Sequence, residues 1–586
     1  MKKPSEELKI IFRKPTAWCP VVLTALASFV YELTRFNIGI DDMVRSRYLN
    51  GGLFSQGRFS STLISYAFGF FKPYPFFEPF LAVLFLTAAA FLMMVVLKHA
   101  SDSKIPLPFL TFFACMFVSY PLLNEIFVYK GAELYTGIGF FLTAVSILLT
   151  ENIFLPQEGS DRESDRESDR ESDCGPVPGS DRKKLISKGI VRLLISAGIW
   201  VFVMSMYEAF AAVYLTAAAL YVFTAIYFKR PGFEKPFRRL VLFVIPALAG
   251  IVLEFLLGKL ILSLVTFPNT IPAGSSVAIP DEFSLRYVSS VIYSLMRKIF
   301  LAGLWYYPVG LFAAAAVVSL PVFIVAAIRR KSITVIWCAL AAYAGLFGIG
   351  LLAGGSLKYR TCQSFAVFTA FTVTFASLLI FRFIHGKIQK KLANNPKKAH
   401  NIPVRLAIPF IAAGVLLVSA SVVSINKAFI DNNARWQEEK AVITACGDEL
   451  MSGRYNISDK PVIFIGEYTL SDGVMGRKYV RSDDPVYSAF KKAANGLGFR
   501  LSTTDLDETY VVAACQSDFG SVISWGIEDQ YSCNEELLLI FRYLGYDFRQ
   551  GSMERYKELS EIPDEFPCDG DFVIAELEDA VVVRFA

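Results

Sequence analysis

Apolar blocks of about 17–25 residues recur along this chain, and they restrict its fold more than any motif does. Wound as a helix, such a block spans the roughly 30 Å of hydrocarbon in a bilayer, where only elements that satisfy their own backbone are stable. Helices are expected at 17–34, 76–97, 107–123, 132–150, 188–205, 208–228, 239–263, 303–328, 332–353, 362–384 and 405–426. About eleven such segments make an α-helical polytopic membrane protein, in keeping with 54% hydrophobic residues, 52 Phe and 26 Tyr. The first block lacks a small-residue cleavage site and reads as a retained helix, not a signal peptide.

The loops orient the bundle. One alternating set holds Lys2, Lys3, Arg13 and Lys14; Lys98 and Lys104; Lys229, Arg230, Lys235, Arg238 and Arg239; Arg329, Arg330 and Lys331; and the run from Lys387 to Arg405. The other set is short or nearly neutral. The basic set is expected in the cytoplasm, with the N-terminus. An odd helix count then puts the C-terminal segment on the outside. That segment, 431–586, carries 29 acidic against 15 basic residues, a net −14 within a chain of +5. Charge of this kind reports topology, and nucleic acid is not expected as a partner.

Three divisions follow: a membrane domain over 1–430, an SDRE-repeat loop over 156–186 inside it, and a soluble domain over 431–586. The repeat at 160–173 has no apolar residue to bury, and the loop is expected to be disordered and cytoplasmic. Deleting Ser160 to Asp173 should leave expression and activity nearly unchanged; a large loss at equal protein level would reveal a partner for the loop. In the last domain apolar runs shorten to strand length. Lys460 to Gly466 and Thr509 to Ala514 read as buried strands, Pro485 to Leu497 and Cys533 to Tyr546 as helices, and Asp571 to Phe585 as two closing strands. This is the pattern of a small α/β domain. Its Cys446, Cys515, Cys533 and Cys568 allow two disulfides in three pairings, or four small buried thiols.

Two outer loops are larger than a simple bundle needs. In 37–72, Gly51-Gly52 separates two amphipathic stretches, with Phe59, Leu63, Ala67 and Phe70 on one face of the second. After the seventh helix, Leu285, Val288, Ile292, Leu295 and Ile299 line one helical face. Both stretches suit helices lying in the outer interface.

The sharpest chemistry lies just after the first span, where Asp41 and Asp42 are followed by Arg45, Arg47 and Arg58. Charges this near hydrocarbon are costly unless paired or used. On local residues two readings stand: a carboxylate that deprotonates a hydroxyl while an arginine holds a phosphate, or an Asp that caps the next helix and pairs with arginine. Reach favours Asp42 as the base. Other polar groups face the same side: Tyr120 to Glu125, Tyr129-Lys130 to Glu133, Ser205-Met206-Tyr207-Glu208, and Lys358-Tyr359-Arg360. Glu254 and Lys259 in the seventh helix either form a structural i,i+5 pair, the favoured reading, or line a cavity. Three histidines and no CxxC or HExxH motif leave no metal site, and no phosphate-cradling glycine loop is present, so no cofactor is expected.

The first helix, the Asp41-Asp42 pair, Gly57-Arg58, Tyr120 to Glu125, Ser205 to Glu208 and Arg360 together resemble the Gtr-type serotype-converting glucosyltransferases, within the GT-C membrane fold. Glu208 stands where an amide is expected, and the C-terminal segment has no counterpart. The resemblance implies a polyprenyl-phosphate-linked sugar donor, glucose, and a hydroxyl of a cell-surface polysaccharide as acceptor. An Asp of the first outer loop would be the base of an inverting transfer. Arg58 and Arg360 would hold the donor phosphate, and Arg45, Lys130, Tyr207, Glu208 and Lys358 would line the site. A transporter or flippase of lipid-linked sugars is the alternative from another class. It would want midplane charges and inverted repeats, and the charges here gather at one face.

Overall fold

The computed structural model describes residues 4–39, 42, 57–70, 74–154, 179–264, 299, 307–352, 359–391, 402–470, 478–481, 485, 488–489, 492, 505–507, 510–514, 521–527 and 533–586. The apolar blocks fold as helices. A short α1 (Pro4–Phe12) precedes α2 (Pro15–Thr34), the first span. There follow α3 (Phe59–Phe68), α4 (Phe77–Ala100), α5 (Leu107–Val118), the one-turn α6 (Asn124–Phe127) and α7 (Glu133–Phe154). After 155–178 come α8 (Gly179–Met204), α9 (Phe210–Tyr227), α10 (Pro236–Leu264), α11 (Tyr307–Arg330), α12 (Thr334–Leu352), α13 (Ser364–Lys391) and α14 (Ile402–Leu450). Nine of the described helices are long and apolar enough to cross a bilayer, and 190–204 and 334–348 are two shorter apolar helices. Helices therefore occupy all eleven positions expected, in a multi-pass membrane protein. The SDRE repeat and 268–298 lie outside the described residues.

Cross-links at the two ends fix how the spans alternate. At one end Lys98 pairs with Glu7, Lys104 Nζ donates to Phe228 O at 2.9 Å, and Arg382 Nη2 donates to Lys104 O at 2.7 Å. Glu151 is shared there by Arg230 and His99. Lys98, Lys104 and Arg230 of the basic loop set thus lie at one end of the bundle. The loop carrying Asp42 and the C-terminal domain share the opposite end.

The helix α3 shows how a lipid environment inverts the usual pattern. Its Ser60, Ser61 and Ser65 are buried, while Leu63, Tyr66 and Phe68 are exposed. Ser60 bonds Ser205, Ser61 Oγ donates to Met206 O at 3.1 Å, and Ser65 bonds Tyr135. Hydroxyls thus grip the protein and apolar groups face outward, as an interfacial helix requires. Phe70, expected on the apolar face, lies past the helix end and is buried.

The helix expected at 405–426 does not stop there. It continues as α14 for 49 residues, about 74 Å at 1.5 Å per residue, more than twice the hydrocarbon thickness. Hydropathy falls after Val423, but the buried positions Ile425, Phe429, Asn432, Trp436, Ile443 and Leu450 keep helical spacing. Beyond it, β1 (Val462–Gly466) pairs in parallel with β6 (Val581–Phe585), which pairs antiparallel with β5 (Phe572–Glu576). Strands β2 (Lys478–Arg481), β3 (Asp505–Asp507) and β4 (Tyr510–Ala514) form a second sheet in the order β2-β4-β3. One face of the first sheet packs Val462, Phe464, Val581, Val583 and Phe585 against Trp436 and Ile443 of α14, and against Leu537, Ile540 and Phe541 of α16 (Glu535–Tyr543). A short helix α15 (Val522–Ile527) precedes α16, and α17 (Met553–Ser560) covers the other face through Leu559. Asn534, at φ 52°, accepts from Phe464 N and donates to Phe464 O, both at 2.9 Å, which closes the free edge of β1. The helix expected over 485–497 falls almost wholly outside the described residues. Cys446 and Cys533 lie in cores on opposite faces of the sheet, and both are free thiols, as is Cys568.

Candidate functional site

Asp42 ends a tight turn that follows α2. Its N–H donates to Gly39 O at 3.3 Å, and its Oδ2 accepts from Gly39 N at 2.7 Å. The other carboxylate oxygen accepts from Lys130 N at 2.9 Å, between α6 and α7. Each oxygen so receives one backbone N–H. The approach is close: a Cβ on Gly39 would lie 3.2 Å from Asp42 Oδ2 and 3.4 Å from Val128 O. Asp42 is 2% exposed, so the turn and the α6–α7 connection hold the carboxylate from two sides.

Lys130 is expected to line the site, and its backbone does so. Its side chain is buried and pairs with Glu32 of α2, itself buried. Burial pulls the ammonium below its usual range, and Glu133 opposes that shift. Glu32 is a residue that sequence reasoning missed, although a lone carboxylate in the last turn of an uncharged span is a signal in itself.

The arginines meet one step further along. Arg360 sits in the 3-10 turn Tyr359–Thr361 ahead of α13, its guanidinium 5.2 Å from the ring centre of Tyr129, the neighbour of Lys130. Arg58 precedes α3, which the serines clamp to the α8–α9 connection. It lies 5.4 Å from the ring centre of Tyr207 and donates to Glu208 through Nη2 at 3.3 Å and Nε at 3.5 Å. Arg58 and Arg360 are near enough to repel each other. Burial pushes the Tyr207 phenol up, and the charges of Arg58 and Arg360 oppose that shift. The structure thus brings together Asp42, Lys130, Tyr207, Glu208, Arg58 and Arg360 in one continuous region. Asp41, Arg45 and Lys358 lie outside the described residues.

The expected Glu254–Lys259 pair is replaced by a different arrangement. Lys259 is exposed and its ammonium lies 4.5 Å from the ring centre of Phe255. Glu254 turns to the protein side of α10, where a Cβ on Gly57 would stand 3.1 Å from its Oε1 and where Glu208 faces it. Five residues along a helix place side chains about 140° apart, which separates a lipid-facing lysine from an inward carboxylate. Gly57 also holds φ +80°, which an L side chain adopts at a cost of about 1–2 kcal/mol. Gly57→Ala should therefore lower thermal stability and displace Arg58; an unchanged melting temperature would show that the turn accepts a side chain.

Among the described residues no group of three or more His, Cys, Asp or Glu side chains is set to hold a metal ion. No curated protein and no solved structure matches the chain. The family model described as Glucosyl transferase GtrII matches residues 30–377, from within α2 to within α13, and encloses every site residue named above. The chain is therefore a membrane glycosyltransferase that belongs to the glucosyl transferase GtrII family.

Proposed function

We propose that the protein moves glucose from a polyprenyl-phosphate carrier to a hydroxyl of a cell-surface polysaccharide, at the outer face of the membrane. The observation that carries this reading is the gathering of Arg58, over the Tyr207 ring, and Arg360, over the Tyr129 ring, beside the loop that holds Asp42. Two guanidiniums that repel each other gain when an anion enters between them, and a planar fork suits phosphate oxygens. Glu208 pairs with Arg58 at 3.3 Å. Glu208 and Glu254 offer carboxylate acceptors to sugar hydroxyls.

In the transfer, Asp42 takes the proton of the acceptor hydroxyl as its oxygen attacks the anomeric carbon. The bond from that carbon to the phosphate oxygen breaks on the opposite side, its electron pair leaving with the polyprenyl phosphate held by the arginines. The configuration inverts. Asp41, Arg45 and Lys358 belong to the same proposal, as further groups of the acceptor and phosphate region. Purified protein in liposomes, given a labelled polyprenyl-phosphate sugar and an acceptor glycan, should transfer label to the glycan. Label that crosses the bilayer still on its carrier, with none on glycan, would favour the flippase.

The same reading places the acidic domain 431–586 outside the cell and the N-terminus inside. Among the described tail cysteines Cys568 is half-buried, whereas Cys446 and Cys533 are buried. A membrane-impermeant thiol reagent should label Cys568 in intact cells with the wall opened. Labelling only after the membrane is ruptured would reverse the topology.

A further inference from the structure

We infer that the C-terminal domain is a working part of the transferase, with Arg435 of α14 as a positioning residue for Asp42. This rests on the reading of Asp42 as base. Ile38 follows α2 by only four residues, yet it is fully buried in the core of the C-terminal domain, with Trp436, Ile443, Phe464 and Val583. Phe36 packs at its edge, 6.2 Å between ring centres from Tyr543. Arg435 Nη2 donates to Ile38 O at 3.2 Å. The very next residue, Gly39, donates its N–H to Asp42 Oδ2 at 2.7 Å. One peptide unit thus receives the domain's grip on its carbonyl and passes its N–H to the carboxylate.

Arg435 is itself anchored. Its Nε lies 3.7 Å from Glu439 Oε2, one turn along α14. Glu439 Oε1 accepts from Ser521 Oγ at 2.9 Å, from Ile523 N at 3.2 Å and from Val522 N. A chain of bonds therefore runs from α15 through Glu439, Arg435, Ile38 and Gly39 to Asp42, and on to Lys130 N. The membrane part meets α14 too, through Asn426 Nδ2 to Ala27 O at 2.8 Å and Tyr31 OH to Asn433 Oδ1 at 3.3 Å. So α2 and α14 are bonded to each other, and α14 also holds the turn that follows α2.

A base displaced by about an ångström costs up to roughly 10²-fold in rate without loss of donor affinity. Arg435→Met should therefore lower kcat by roughly 10–100-fold with donor KM within about twofold. Arg435→Met/Glu439→Gln leaves no buried carboxylate unpaired and should behave alike if the single variant folds poorly, while Arg435→Lys should recover part of the rate. In an Asp42→Asn protein, Arg435→Met should cost nothing further, because there is no base left to position. Asn37→Cys, at a buried site in the same turn, should resist a maleimide and react faster once Arg435 is replaced. Equal fractional losses with and without Asp42, or an unchanged rate with the turn still protected, would overturn the positioning role. Wild-type transfer by Asp42→Asn alone would instead sink the base assignment, whatever Arg435 does.

Discussion

Asp42→Asn is expected to reduce sugar transfer by roughly 10²-fold or more at normal expression. The amide keeps the size of the carboxylate and loses its proton affinity. It also keeps one acceptor oxygen where Asp42 has two, each bonded to a backbone N–H. One of those two N–H groups then faces an amide NH2, so a stability loss of about 1–3 kcal/mol should accompany the loss of rate. Two measurements separate the base from the brace. The acid limb of the wild-type pH–rate profile should vanish in the residual activity of the variant, and donor KM should hold. Asp41→Asn should retain most activity, since adjacent residues point apart and one carboxylate serves the acceptor. Wild-type rates in both variants would mean that neither is the base.

Arg360→Lys should raise donor KM about tenfold and leave kcat less changed. Charge is kept, but two features are lost: the fork that grips two phosphate oxygens, and the flat group that lies over the Tyr129 ring. Equal KM in the lysine variant would leave Arg360 as an interfacial anchor and assign the phosphate to Arg58 alone.

What could be read from the residues follows the physics of each signal. The spans were legible because hydrocarbon tolerates only long uncharged helices. The helical stretch Phe59–Phe68 was legible from period alone, although which face meets lipid depended on Ser205, Met206 and Tyr135 lying beneath it. The extension of α14 past 426 was hidden because average hydropathy falls while periodicity persists. Convergence of Arg58, Tyr207, Glu208 and Arg360 was foreseeable as a common face, but their order was not: that Arg58 takes Glu208, and Arg360 takes Tyr129, is decided by tertiary contacts. Glu254 was misjudged from a spacing of five, which on a helix divides the pair rather than joining it. Nor does any local pattern say that Ile38 belongs to a core built some four hundred residues later.

The most direct measurement is mass spectrometry of the surface polysaccharide from cells that carry the protein, lack it, or carry Asp42→Asn. Expected is an added hexose on the polysaccharide with the wild-type protein, and its absence in the other two at equal protein level. The same glycan profile in all three strains would contradict transfer by this protein.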